Sequence, residues 1–120
     1  MADLRIVQWN CGGMRASAAS TPLKMGTFDK NFPNASFDIA TFLETHHKED
    51  SDFPELISVY RVSHHCFHSP ATPEDTHAGI IIFIAKHFTV TMCEILIPGR
   101  LMNFKIKIPN DTTHYNVSVF

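Results

Sequence analysis

Apolar and polar residues alternate along Leu4 to Trp9, and the pattern stops at Asn10 and the two glycines that follow it. Alternating β-formers predict a strand, and paired glycines permit a tight turn after it. A second segment, Phe37 to Leu43, is almost continuously apolar, as in a strand covered on both faces, and it ends on Glu44. The pattern therefore predicts two strands that each end on a polar side chain.

Three segments have a less regular pattern. Arg15 to Lys30 carries spaced apolar residues, which predicts a helix broken or restarted at Pro22. The residues from Thr45 to Pro54 are polar and predict a loop, and Leu56 to Phe67 is predicted to be a strand that crosses a histidine-rich segment.

The last third of the chain predicts strands separated by Pro, Gly, Asn and Asp. Their spacing is typical of an antiparallel meander. The predicted strands are Gly79 to Ala85, Phe88 to Ile97, Arg100 to Ile108 and Tyr115 to Phe120. Because the sequence stops inside a strand pattern, we expect a domain that is cut short.

Composition is that of one globular domain or a large piece of one, since 44% of the 120 residues are hydrophobic and 18% are charged. The formal net charge of -2 excludes a global positive field for nucleic acid, so a polyanion would be bound locally or through a cation. No apolar run approaches the ~20 residues of a membrane span, and no signal-peptide pattern is present. Three widely spaced cysteines favour a reducing, intracellular compartment over a disulfide framework.

The two polar strand ends are candidates for chemistry. We expect the strands Leu4 to Trp9, Phe37 to Leu43 and Gly79 to Ala85 to lie in one sheet, with Asn10 and Glu44 at the same edge. A carboxylate with an amide oxygen is the chemistry that Mg²⁺ or Mn²⁺ prefers. A cation there would bind a phosphate oxygen. The alternative interpretation is structural: an Asn before Gly-Gly is often a turn residue, and a Glu at a strand end is often solvated.

Two motifs add a family resemblance. Residues 6–15 read IVQWNCGGMR and residues 38–46 read DIATFLETH, which in order and spacing resemble the endonuclease/exonuclease/phosphatase family. The segments AGIIIFI, PGRLM and YNVSVF, in the last third of the chain, resemble further strands of that family. The Glu-Thr-His ending and the Gly-Arg-Leu strand look most like the endonuclease domains of non-LTR retrotransposon polyproteins.

This resemblance implies an α+β fold, the N-terminal half of a four-layer α/β sandwich, as a single partial domain over residues 1–120. It implies a metal-dependent endonuclease or phosphodiesterase that acts on DNA with Mg²⁺ or Mn²⁺. Glu44 would be a metal ligand, Asn10 would orient the metal site or the phosphate, and Arg15 and His46 would contact nucleic acid. A lone Arg at a helix start is more often a solvent-facing residue, which is the alternative interpretation of Arg15.

Departures from the family pattern argue against activity in this chain. Relatives often carry Asp or Asn where this chain has Gly12, and the family's later Tyr, Asp-x-Asn and Asp-His motifs do not occur here. Without a general base we expect no catalysis from this chain. Two alternatives stay open: a non-catalytic remnant that serves as a scaffold, and a phospholipid or inositol phosphate as the substrate class.

Other candidate sites have ordinary explanations. His64, Cys66 and His68 would share one face of a strand and could hold zinc, but partly exposed strand histidines are the simpler interpretation. Trp9 and the stripe Phe37, Ile39 and Phe42 are predicted to be core rather than a base-stacking platform. In a half-domain the inner faces of the last strands would lack a partner, so we expect an exposed apolar face and self-association through it.

Overall fold

The computed structural model describes residues 4–14, 19–49, 53 and 55–120 of the chain. The elements, in order, are strand β1 (Ile6–Asn10), helix α1 (Thr21–Asn31), a 3-10 turn (Pro33–Ala35), β2 (Ile39–Leu43), α2 (Glu55–Ser58), a second 3-10 turn (Val59–Val62), β3 (His64–Ser69), β4 (Ile80–Ala85), β5 (Thr89–Ile97), β6 (Leu101–Lys107) and β7 (His114–Val119).

The first sheet has the order β1-β2-β4-β3. β1 and β2 run parallel, with Asn10 opposite Leu43, whereas β4 is antiparallel to both β2 and β3. The three strands that we predicted to share a sheet do so, and this arrangement is confirmed. The parallel pairing matters for function because it brings the C-terminal ends of β1 and β2 to the same edge.

The second sheet is an antiparallel meander with the order β5-β6-β7. The predicted turns at 98–99 and 109–111 separate its strands. The segment Gly79 to Ala85 precedes this meander and is not part of it. That segment forms β4, whose six residues are all buried and which lies between β2 and β3 in the first sheet.

The two sheets pack face to face inside this one chain. Side chains of β2 and β4 interdigitate with those of β6 and β7 in one buried cluster. Its strand members are Ile39, Ile80, Ile82, Ile84, Ala85, Met102, Phe104, Ile106 and Val119. We expected an exposed inner face on Gly79 to Ala85, Arg100 to Ile108 and Tyr115 to Phe120. This expectation is wrong, because the sheet that covers the face belongs to the same chain. Phe120 itself is 78% exposed.

The opposite face of the first sheet is covered by the helices. Met25 and Phe28 of α1 pack on Phe42 and Phe83 of the sheet. Trp9 is half-buried and stacks on Phe28 with ring centroids 5.6 Å apart, so it packs against the core rather than inside it. The described chain thus has three layers, helices, sheet and sheet, and the predicted α+β class is confirmed.

Two element predictions can be compared with the structure. A helix was predicted from Arg15 to Lys30 with a break or restart at Pro22, and α1 begins at Thr21, so Pro22 lies in its first turn, where the missing N–H costs nothing. Residues 15–18 lie outside the described part of the chain. Leu56 to Phe67 is not one strand, because α2 and a 3-10 turn occupy its first part and β3 begins at His64. Ile57 and Tyr60, three positions apart, are buried under the sheet, whereas Val59 and Val62 are 63% and 80% exposed.

Among the described residues, no helix is long and apolar enough to cross a bilayer.

Candidate metal and phosphate site

The candidate site lies where β1 and β2 end. The side-chain amide of Asn10 donates a short hydrogen bond to Oε2 of Glu44, and its oxygen accepts a longer one, 3.3 Å, from the Gly12 N–H. Asn10 is exposed and Glu44 is half-buried. The prediction that these two strand ends converge is confirmed; their role in chemistry stays a prediction.

The backbone ladder continues beyond both strands and holds the site. The N–H of Cys11 donates to Leu43 O at 3.0 Å, that of Gly13 to Glu44 O at 2.8 Å, and that of Met14 to Thr45 O at 2.7 Å. Because of this ladder, the carboxylate of Glu44 and the amide of Asn10 are carried by backbone segments fixed to each other.

A lysine from α1 caps the loop that follows Asn10. Nζ of Lys24 donates to Gly13 O at 2.7 Å and to Gly12 O at 3.2 Å. The ammonium group of Lys24 thus gives each of these two carbonyls a hydrogen bond. Helix α1 therefore fixes the loop beside the site, and the charge of Lys24 is directed at the two loop carbonyls.

The turn after β2 has an unusual backbone. Glu44 and His46 have φ values of 52° and 63°, in the left-handed region that side chains other than Gly seldom adopt. Two hydrogen bonds hold the turn against the start of β4: the Thr45 N–H donates to Gly79 O at 3.2 Å, and the His46 N–H donates to Ala78 O at 2.9 Å. The strained conformation is thus maintained by the neighbouring strand and turns the Glu44 side chain towards Asn10.

A cavity of about 250 Å³ opens beside this pair. It is lined by Asn10, Leu43, Glu44, Ile80, Gly99, Arg100 and Phe120. Arg100 is the cationic member of the lining, and the loop residue Asp75 holds it with two hydrogen bonds, Nε to Oδ2 at 2.7 Å and Nη2 to Oδ1 at 2.8 Å. The cavity therefore combines a carboxylate, an amide and an oriented guanidinium.

Electrostatics couple these charged groups. The hydrogen bond from Arg100 holds the pKa of the Asp75 carboxyl below its usual range. The same contact, with a smaller contribution from the Glu44 charge, raises the pKa of Arg100. Arg100 stays cationic, so it offsets part of the negative charge that an oxyanion would bring to the cavity.

Sequence reasoning did not include Arg100 among the site residues. Its Gly-Arg-Leu motif was recognised, but Asp75 lies 25 positions away in a loop with no periodic pattern. Nothing in the sequence predicts that this loop reaches the β5–β6 turn. The Gly-Arg-Leu motif was the one sequence feature that could have indicated Arg100 as a site residue.

The other predicted site residues are placed as follows. His46 does not line the cavity; its ring lies beside Gly13 and meets the ring of His77 edge to face, with centroids 5.0 Å apart. Arg15 lies outside the described residues. Their proposed contacts with nucleic acid stay predictions.

The histidines of β3 do not converge on a metal. Nε2 of the buried His64 bonds to Phe37 O at 2.8 Å, whereas Nδ1 of His68 bonds to Nε2 of His47 at 3.1 Å. Their imidazoles thus have separate partners. Over the described part of the chain, no three His, Cys, Asp or Glu side chains form a group that could hold an ion.

The donors present fit a weakly held hard cation. Mg²⁺ usually keeps several waters and takes one or two carboxylates, and Glu44 supplies one. The oxygen of Asn10 already accepts from Gly12, so the amide of Asn10 orients the carboxylate. In these terms Glu44 is the candidate ligand and Asn10 is the residue that positions it.

Comparison with known proteins gives one informative result. No protein-family model matches the chain, and no curated protein matches it. Among solved structures, the human Nocturnin catalytic domain with bound sulfate superimposes with a TM-score of 0.62 at 16% sequence identity. The match covers 96% of this chain and 48% of the Nocturnin chain.

The chain has an endonuclease/exonuclease/phosphatase-like fold. At this low identity the likeness concerns the fold alone. The chain spans about half the length of the solved Nocturnin domain, 48%, so its activity does not follow from the likeness.

Proposed function

We propose that this chain is part of a divalent-metal-dependent phosphodiesterase or endonuclease domain that acts on DNA and derives from a retroelement. The observation that carries the proposal is the Asn10–Glu44 hydrogen bond at the shared end of two parallel strands, beside a cavity that Arg100 lines. Polar groups at the C-terminal ends of such strands are where α/β folds commonly bind ligands.

Each residue has a distinct part in the proposal. Glu44 holds Mg²⁺ or Mn²⁺, which when bound would supply positive charge to a phosphate oxygen. Asn10 fixes the direction of the carboxylate, and Arg100, oriented by Asp75, attracts a second phosphate oxygen. The Nocturnin domain was solved with a sulfate, an oxyanion similar in shape to phosphate, and a cavity of this composition suits such an anion.

DNA is favoured as the substrate by the motif resemblance, in particular by the Glu-Thr-His ending at Glu44 and the Gly-Arg-Leu strand at Arg100. The net charge of -2 requires that a polyanion be bound locally, which a metal and one guanidinium would achieve. A phospholipid or inositol phosphate would use the same phosphate contacts, so substrate competition distinguishes these classes.

The proposal also holds that this chain alone does not cleave. Hydrolysis needs a base within about 3 Å of the attacking water, and among the described residues that line the cavity none besides the ligand Glu44 could serve as one. A second candidate function is a non-catalytic scaffold. Two features favour the scaffold function. Gly12 stands where relatives often carry a polar residue, and few of the described residues around Glu44 could be further ligands.

Metal binding tests the proposal directly. Mn²⁺ titrated into the chain and followed by electron paramagnetic resonance should show one weak site, lost in Glu44→Gln and kept in Glu74→Gln. Glu74 is an exposed loop glutamate, which makes it a matched control. Equal binding by the wild type and Glu44→Gln would remove the metal site and leave the scaffold function.

Activity is a separate measurement. Plasmid DNA incubated with the chain and Mg²⁺ or Mn²⁺ should be nicked no faster than the background rate. Metal-dependent nicking abolished by Glu44→Ala would show that the first half of such a domain suffices for cleavage, which contradicts the expected inactivity.

A further inference from the structure

Three polar side chains form a hydrogen-bonded network on the interior side of the turn that carries Glu44. Oγ1 of Thr45 and Nδ1 of His47 share a short hydrogen bond, and Nε2 of His47 bonds to Nδ1 of His68 at 3.1 Å. Thr45 and His47 are fully buried, and His68 is half-buried. The function proposed above gives this Thr45–His47–His68 network no part, although Thr45 directly follows Glu44.

The imidazole of His47 is held in one orientation. A buried polar group is unfavourable unless it is hydrogen-bonded, and each ring nitrogen of His47 has a partner. The Thr45 hydroxyl and the His68 imidazole can each donate or accept, so both contacts are satisfied in either tautomer of His47. The ring of Phe53 meets His47 edge to face, with centroids 6.2 Å apart, and meets His68 in the same way at 5.6 Å. These contacts direct Nδ1 of His47 at Thr45.

Thr45 connects this interior network to the backbone of the site. Its N–H donates to Gly79 O at 3.2 Å, and its carbonyl accepts from the Met14 N–H at 2.7 Å. Its hydroxyl lies against Gly79, where an added Cβ would overlap it. Thr45 is therefore anchored through its N–H, its carbonyl and its side chain, and the side-chain anchor is His47.

The side-chain anchor acts where the backbone is strained. Glu44 and His46, with φ values of 52° and 63°, flank Thr45 on both sides. Residues other than Gly remain in this region when the surrounding structure over-determines their conformation. A side chain fixed at Thr45 restrains the peptide groups on both sides of it. The anchor thus bears on the direction of the Glu44 carboxylate.

We propose that His47 is a positioning residue for Glu44. Through the Thr45 hydroxyl it holds the turn that carries Glu44 and so directs the carboxylate at Asn10. The inference rests on the proposed function, in which Glu44 holds a divalent cation. His47 acts through Thr45 and the backbone and needs no contact with the cation. His68 gives Nε2 of His47 its partner and keeps the imidazole in place.

A second buried imidazole offers a comparison that separates positioning from burial. His64 lies at the opposite end of β3, where Nε2 bonds to Phe37 O at 2.8 Å and Nδ1 bonds to Oγ of Ser63 at 2.7 Å. It pairs with Ala85 at the end of β4, whereas the turn that carries Glu44 is hydrogen-bonded to the residues just before β4. A substitution at His64 should therefore lower stability and leave the turn unaffected.

Hydrogen exchange of single amides in the metal-free chain tests the positioning. The Gly13 N–H donates to Glu44 O. The His46 N–H donates to Ala78 O, so these two amides report on the turn. The amide of Phe104, in the central strand β6, is the reference for a general loss of stability. The exchange rate of each turn amide, divided by that of the reference, isolates the turn.

The variants at Thr45 separate the hydroxyl from the size of the side chain. Thr45→Val removes the hydroxyl at nearly constant size, and it should raise both exchange ratios roughly tenfold because a buried hydrogen bond is lost. Thr45→Ser keeps the hydroxyl and should restore the wild-type ratios. His64→Gln should leave the ratios unchanged even where it destabilises the whole chain.

Mn²⁺ binding, followed by electron paramagnetic resonance, links the turn to the site. His47→Gln loses the group beside Thr45, whereas the shorter amide of His47→Asn reaches the position of Nδ1 and keeps it. The affinity for Mn²⁺ should fall roughly tenfold in Thr45→Val and His47→Gln, and it should stay near the wild-type value in His47→Asn and His64→Gln.

The outcomes separate this inference from the proposed function. Unchanged exchange ratios in Thr45→Val overturn the inference, and so does an equal change in His64→Gln or an undiminished Mn²⁺ affinity in His47→Gln. If circular dichroism shows that Thr45→Val does not fold, His47→Gln replaces it in the exchange measurement, with the same expected result. A wild type that binds no Mn²⁺ overturns the proposed function, and the inference with it. Normal Mn²⁺ binding with unchanged exchange ratios contradicts the inference alone.

Discussion

Arg100 and Asp75 are joined by two parallel hydrogen bonds of 2.7 and 2.8 Å, which fix the guanidinium at the wall of the cavity that Glu44 lines. Both side chains are about two-fifths exposed, at 40% and 38%. The pair therefore contributes modestly to stability, and its main consequence is orientation of Arg100.

The pH dependence of stability should reveal this pair. Because Arg100 lowers the pKa of Asp75 in the folded chain, the stabilisation is present above the ordinary aspartate pKa and is lost as the pH falls through the lowered value. Asp75→Asn should therefore unfold at lower urea than the wild type at pH 7, and the difference should shrink as the pH falls below the ordinary aspartate pKa of about 3.9. Glu74→Gln is the control and should match the wild type across this pH range.

Gly12 offers a way to strengthen the candidate metal site. Its φ is +58°, a conformation that Asp and Asn adopt more readily than other side chains, and no heavy atom lies within 4 Å of an added Cβ. Gly12→Asp should add a carboxylate two residues from Asn10 and tighten Mn²⁺ binding roughly tenfold. Gly26→Asp, in the middle of α1 with equally open space, should leave the affinity unchanged. No gain in Gly12→Asp would place the cation away from this loop.

The core of the site was predictable from the sequence because strand ends are local features. Asn10 and Glu44 each follow a recognisable apolar segment, and the parallel pairing of those segments then brings them together. Arg100 was missed because its position depends on a loop contact with Asp75. The cover of the inner face was missed because the family resemblance implied a partner sheet from the other half of the domain, whereas both sheets lie within this chain.

The three thiols should differ in reactivity. Burial raises the pKa of Cys11 to about 11, and its Sγ donates to Leu43 O at 3.1 Å. Cys93 is exposed on β5, while Cys66 is half-buried. With a thiol reagent at pH 8, Cys93 should react first and Cys11 last, with all three equal in urea. Cys93→Ser should remove the fast phase; a fast phase that persists would mean that Cys11 or Cys66 is more accessible than its burial indicates.

Gly79 and Gly26 should respond oppositely to the same substitution. Gly79 has a φ of +120°, and an added Cβ would overlap Oγ1 of Thr45 and lie 3.2 Å from the backbone nitrogen of His46. These atoms belong to the hydrogen-bonded turn that carries Glu44 and cannot easily move. Gly79→Ala should therefore lower the free energy of unfolding by roughly 2 kcal/mol, since such backbone strain costs about 1–3 kcal/mol.

The matched variant is Gly26→Ala. Gly26 lies within α1 at an ordinary helical φ, with no neighbouring atom within 4 Å of an added Cβ. Alanine there should raise the free energy of unfolding by about 0.5–1 kcal/mol, because a glycine inside a helix loses more conformational entropy on folding. Urea denaturation of both variants measures the difference. If Gly79→Ala were as stable as the wild type, the turn that holds Glu44 would have to be more adaptable than its hydrogen bonds to Ala78 and Gly79 indicate.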